Sequence, residues 1–141
     1  YPLEDHVKAA KVDELMDALE DIGATVMKVA QGQEKSAVMV ARAAACTEKD
    51  GSVYQVLEKI NAQLAGGGYA VGTELTIADL LLYSGCSNLI SGLFDGVPTN
   101  TLDAFDKITA IRKNVRSLPV VDAWYAAKDA AKVPASFGKL E

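Results

Sequence analysis

The stretch that decides the fold is GTELTIADLLLY, residues 72–83. Thr76 suits a helix N-cap, because its hydroxyl can accept from an early helical N–H. Asp79, three residues on, can return its carboxylate to the Thr76 N–H and complete a capping box. Glu or Gln is usual at that third position, so Asp makes a shorter reach. Leu75 precedes the cap and Leu80 takes the fourth helical position, where the two are placed to close a hydrophobic staple. Cap and staple together are worth ~1–2 kcal/mol as a helix start. The helix opened here is predicted to run to about Phe94.

Working outward, Pro2 and Pro98 bracket a long stretch with no other proline, so only glycine interrupts helices there. From about Glu4 to Gln31, the residues Val12, Leu15, Met16, Leu19, Ile22, Val26 and Ala30 follow helical spacing, with Gly32 placed to end the helix. The next segment, about Glu34 to Cys46, is apolar almost all round and is expected to be buried. Asp50-Gly51-Ser52 marks a turn. Val53, Val56, Leu57, Ile60 and Leu64 then repeat the stripe until Gly66-Gly67-Gly68. Beyond the loop Asp95 to Asn100, another stripe carries Leu102, Phe105, Ile108, Ile111 and Val115. Ser117-Leu118-Pro119 opens a last short helix with Val120, Val121, Trp124 and Tyr125. No segment alternates with period two. The reading is an all-α bundle of about five to six helices over residues 1–127, followed by a surface tail, 128–141.

Bulk numbers narrow the function. At 141 residues the chain is about one domain, long enough to form a core without staples. Alanine at 22 positions favours helix over sheet. A net charge of −5 and only 14 basic residues argue against a nucleic-acid partner. Arg112, Lys113 and Arg116 read as a solvated helix face. No apolar run is long enough for a transmembrane segment. Cys46 and Cys86 read as buried free thiols, with no neighbours that make a metal site or an activated nucleophile.

In order along the chain, these segments resemble the C-terminal helical domain of the glutathione transferases. Tyr1-Pro2 resembles the linker leaving that family's first domain. AAKVDELMDALEDI, residues 9–22, resembles the first long helix of the C-terminal domain, most closely in sigma, pi and related classes. VLEKINAQL, 56–64, followed by YAVGTELTIADLLLY, 69–83, resembles the family's helix, loop and capping-box passage. VRSLPVVDAWYAAKD, 115–129, resembles the closing arginine, proline and aromatic passage. The family's other half, a thioredoxin-like domain that grips glutathione and activates its thiol, has no counterpart here. The resemblance therefore implies no catalytic residue in this chain, and glutathione as a ligand only where that other domain is present.

Asp13, Asp17 and Asp21 recur every four residues, about 6 Å apart along one helix face. Like charges at that spacing cost ~0.2–0.5 kcal/mol per pair, so one reading is simply a solvated acidic face. The resemblance supplies another for Asp21. It aligns with the family aspartate that reaches across the dimer to the γ-glutamyl ammonium of glutathione. About ten positions further, where several classes place an aromatic residue in the electrophile pocket, stands Gln31. Tyr83, Trp124 and Tyr125 read as core, and His6 as a surface histidine. Arg42, the only charge in the interior of the segment expected to be buried, needs a carboxylate or carbonyl partner.

Two functions follow as expectations. One is the helical half of a glutathione-conjugating enzyme, forming a hydrophobic-site wall and dimer or partner contacts without catalysing alone. The other is a structural or scaffold subunit of a larger complex, organellar if a precursor was processed, that uses the helical domain for protein–protein binding. A protein partner, as homodimer or larger complex, is common to both. The start at Tyr1 is read as part of something larger. The location is then cytoplasmic, or organellar if a precursor was processed.

Overall fold

A computed structural model describes residues 1–128 and 132–138. These form six α-helices, α1 (His6–Lys28), α2 (Lys35–Thr47), α3 (Ser52–Gln63), α4 (Ile77–Leu89), α5 (Asp106–Arg116) and α6 (Pro119–Ala126), and a 3₁₀ turn, Ala135–Phe137. The described residues contain no strand, so the all-α class holds.

Each helix begins and ends for local reasons. Asp5 caps α1, its carboxylate accepting from Lys8 N at 2.9 Å. Glu4 and Asp5 thus precede the helix. The far end stops at Lys28, short of Gly32, where Ala30 turns left-handed with φ 53°. Helix α4 ends at Leu89 rather than near Phe94. There the Ser91 hydroxyl donates to Asn88 O at 2.7 Å, and Gly92 takes φ 88°, which ends a helix readily only because glycine has no Cβ.

Packing centres on α4. Helix α1 lies on α3 and α4, α4 on α5, and the 3₁₀ turn on α4, while α2 rests on α3. The helical stripes meet in the middle: Val12, Leu15, Ile22 and Val26 face Val53, Leu57 and Ile60, Leu82 and Leu89, and Ile108, Ile111 and Val115. Leu102 and Phe105 join them from the turns before α5, and Tyr54 packs on Phe105 with ring centroids 5.0 Å apart.

The segment expected to be buried, α2, is on the outside. Cys46 is its only buried residue, and Val40 is 72% exposed. Small alanines make the helix apolar by composition, but a bundle of this size has elements to cover only one of its sides. That side is held by polar contacts. Arg42 donates from Nε to Val26 O at 3.2 Å and from Nη1 to Asp95 O at 3.2 Å. Gly96, at φ 86°, lets the loop approach so closely that a Cβ there would collide with the Met39 backbone. Arg42 therefore finds carbonyls as its hydrogen-bond partners, at the end of α1 and in the 95–97 loop.

The segment taken for a surface tail is anchored where it is described. Arg112 donates from Nη2 to Ser136 O at 2.8 Å, and Arg116 from Nε to Phe137 O at 3.0 Å. The Tyr83 hydroxyl reaches the same Phe137 carbonyl at 3.2 Å. Phe137 packs edge-on to Tyr83, centroids 5.8 Å apart. Backbone carbonyls of a short turn thus accept from both arginines of α5. Residues 129–131 and 139–141 of that tail lie outside the described residues.

Candidate functional site

Thr76 and Asp79 form the capping box of α4. Asp79 is completely buried. Its Oδ2 accepts from Thr76 N at 2.7 Å and from the Thr76 hydroxyl at 2.8 Å. Its Oδ1 accepts from Ala70 N at 2.6 Å, so the carboxylate also fastens the glycine-rich 66–72 loop to the helix. Each oxygen is hydrogen-bonded, which offsets the cost of burying the charge. Leu75 and Leu80 flank the box and are each 43% exposed. The role of this node is architectural.

The acidic face of α1 is open. Asp13 accepts from the Tyr1 hydroxyl at 2.6 Å. Asp17 and Asp21 are exposed, and Asp21 has no hydrogen bond or ion pair among the described residues. Gln31 is exposed and lines a hollow of about 460 Å³ with Met27, Val38 and Arg42 where α1 meets α2. Among the described residues no three His, Cys, Asp or Glu side chains gather into a metal-binding group.

The outer side of α4 is more distinctive. Ile77, Leu80 and Leu81 are all exposed, on a helix whose inner side already carries Ala78, Leu82, Cys86 and Leu89. A helix apolar all round is built to be buried all round. The helical repeat continues this outer stripe through Ser84 to Asn88. Asn88 lines a cavity of about 380 Å³ with Trp124, Tyr125, Lys128, Pro134 and Phe137. Trp124 is not core but 55% exposed, on a short α6 that has no buried residue. It meets Tyr125 edge-on at 4.8 Å, and the Lys128 ammonium sits 4.3 Å from its centroid. Tyr83 is buried and Tyr125 half-buried.

Two arginines expected on a solvated face are buried. Arg112 is 2% and Arg116 7% exposed, against a reading as solvated cations. The signal was present: Ile108, Ile111, Arg112, Val115 and Arg116 are spaced i, i+3, i+4, i+7, i+8, so both arginines fall inside the apolar stripe. Arg116 also pairs with Asp122 at 2.9 Å and lies 4.6 Å from the Tyr125 ring centroid. The thiols are free and buried. Burial pushes Cys46 up and takes Cys86 up to about 12, so neither is an activated nucleophile. No helix among the described residues is long and apolar enough to cross a membrane.

The family model described as "Glutathione S-transferase, C-terminal domain" matches residues 16–128. No curated protein and no solved structure matches the chain significantly. The matched span runs from the middle of α1 through the capping box to the end of α6, the elements that build the bundle. The chain belongs to the glutathione S-transferase C-terminal domain family.

Proposed function

We propose that the chain serves as the helical half of a glutathione-conjugating enzyme. It contributes a wall of the hydrophobic site and dimer or partner contacts, and it does not catalyse alone. The observation that carries this reading is the bare outer stripe of α4, Ile77, Leu80 and Leu81, on a helix whose other side is core. Apolar surface of this kind is favourably covered, at ~25 cal/mol per Å² removed from water. A thioredoxin-like half is the occupant that family membership favours. Asp21 then meets the γ-glutamyl ammonium of glutathione in the partner subunit, and exposed Met39 and Val40 of α2 supply further protein contact. Glutathione, when bound, supplies the thiol that adds to an electrophile.

The test is glutathione conjugation to an aromatic electrophile. Activity is expected only when a thioredoxin-like domain accompanies the chain. In that assembly, Asp21→Asn should raise KM for glutathione about tenfold, since it removes one charge-assisted contact. Co-migration of the native chain with a large complex that lacks conjugating activity would replace this reading with the scaffold one, in which the same bare faces bind structural partners.

A further inference from the structure

Arg112 sits in the core with more donors than acceptors. Its Nε and Nη2 share the Ser87 hydroxyl oxygen at 3.4 and 3.2 Å, and Nη2 also reaches Ser136 O at 2.8 Å. Among the described residues no carboxylate pairs with it, and Nη1 has no acceptor. Burial pulls its pKa below the usual guanidinium range. A buried cation without a paired carboxylate is costly, and its unbonded Nη1, on a cavity wall, can receive an anion.

A second observation points to the same place. Ser136 is more than nine-tenths buried, and its Oγ is the one buried side-chain oxygen or nitrogen among the described residues without a hydrogen-bond partner. Arg112 and Ser136 line one cavity of about 400 Å³, together with Ile90, Leu102, Thr99 and Asp103. Two other hydroxyls on its wall are already engaged, Thr109 with Leu102 O and Ser91 with Asn88 O.

We propose that this cavity is a binding site for a small organic carboxylate, whose oxygens accept from Arg112 Nη1 and, once the shielded Ser136 side chain turns toward the cavity, from its Oγ. Its volume suits a small molecule rather than a lone ion. Ile90 and Leu102 offer that molecule an apolar wall. The exposed Asp103 carboxylate disfavours a dianion such as phosphate and favours a carboxylate that also carries an ammonium. The site shares no residue with the α4 stripe or with Asp21, so it stands or falls independently of the conjugation reading.

The test is a titration of the ¹⁵N-labelled chain, at constant ionic strength, with acetate, glycine and inorganic phosphate. Acetate and glycine should cause saturable shifts of the Thr99, Arg112 and Ser136 amides, with phosphate at least about fivefold weaker. Arg112→Met keeps the aliphatic stem and removes the buried charge, and should weaken acetate binding by about tenfold or more. Ser136→Ala, which removes only the unpartnered hydroxyl, should weaken it about fivefold, and it carries the test should Arg112→Met fail to fold. Asp103→Asn should tighten phosphate severalfold. Absence of any saturable shift with acetate and glycine, shifts unchanged in Ser136→Ala, or phosphate binding tighter than acetate would each overturn the proposal.

Discussion

Replacing Asp79 by Ala removes a fully buried carboxylate that accepts three hydrogen bonds at 2.6–2.8 Å. Two of the donors, Ala70 N and Thr76 N, are backbone groups that cannot rotate towards another acceptor. Each unpaired buried donor costs ~1–3 kcal/mol, so the pair amounts to about 4 kcal/mol. The Thr76 hydroxyl can turn to another partner and adds little. A chain of 141 residues is stable by roughly 7–21 kcal/mol at ~0.05–0.15 kcal/mol per residue, so the loss is a large share. At about 3–5 °C per kcal/mol for this size, Tm should fall by ~10–20 °C. Urea titration followed by far-ultraviolet circular dichroism measures the energy, and hydrogen exchange locates it. The Ala70 amide should lose its protection selectively, because Asp79 is its acceptor. Thr76→Ala should cost only ~1 kcal/mol. Destabilisation by Asp79→Ala of less than about 1 kcal/mol, with Ala70 still protected, would refute the idea that this carboxylate ties loop to helix.

Other perturbations probe different links. Gly96→Ala puts a Cβ into the Met39 backbone at a residue with φ 86°, and should cost more than ~1 kcal/mol and loosen α2, read as faster amide exchange there. Cys86, with its thiol pushed from 9.0 up to about 12, should resist thiol reagents in the folded state. Because the folded value is raised, its contribution to stability is complete below about pH 9 and is lost as pH rises towards 12. Cys86→Ala should flatten that alkaline decline in a series of urea titrations. Leu80→Glu with Leu81→Glu, on the exposed stripe, should leave the stability of the chain within about 1 kcal/mol while weakening its association with a thioredoxin-like domain.

Much of the bundle was legible because its signals are local. The Thr76 to Asp79 spacing, the stripe from Val12 to Val26 and the run from Val53 to Leu64 depend only on helical period and capping chemistry. What was misread depends on which faces other elements cover. Helix α2 has an apolar sequence, but only its Cys46 is buried, because covering is decided by topology and not by composition. Arg112 and Arg116 read as solvated because charge normally marks the surface. The stripe they share with Ile108, Ile111 and Val115 marks them as inward-facing, but the Ser136 and Phe137 carbonyls that receive them stand some twenty residues later, outside any local pattern. Ala70 as the second anchor of Asp79 was likewise invisible, since the capping motif accounts for only one of the two carboxylate oxygens.

On the proposed function, this helical domain handles glutathione only together with another domain, and calorimetric titration of glutathione into the chain alone tests that requirement. No saturable heat is predicted up to millimolar concentration, since Asp21 alone offers a single exposed charge contact. Saturable binding by the isolated chain, abolished in Asp21→Asn, would contradict it.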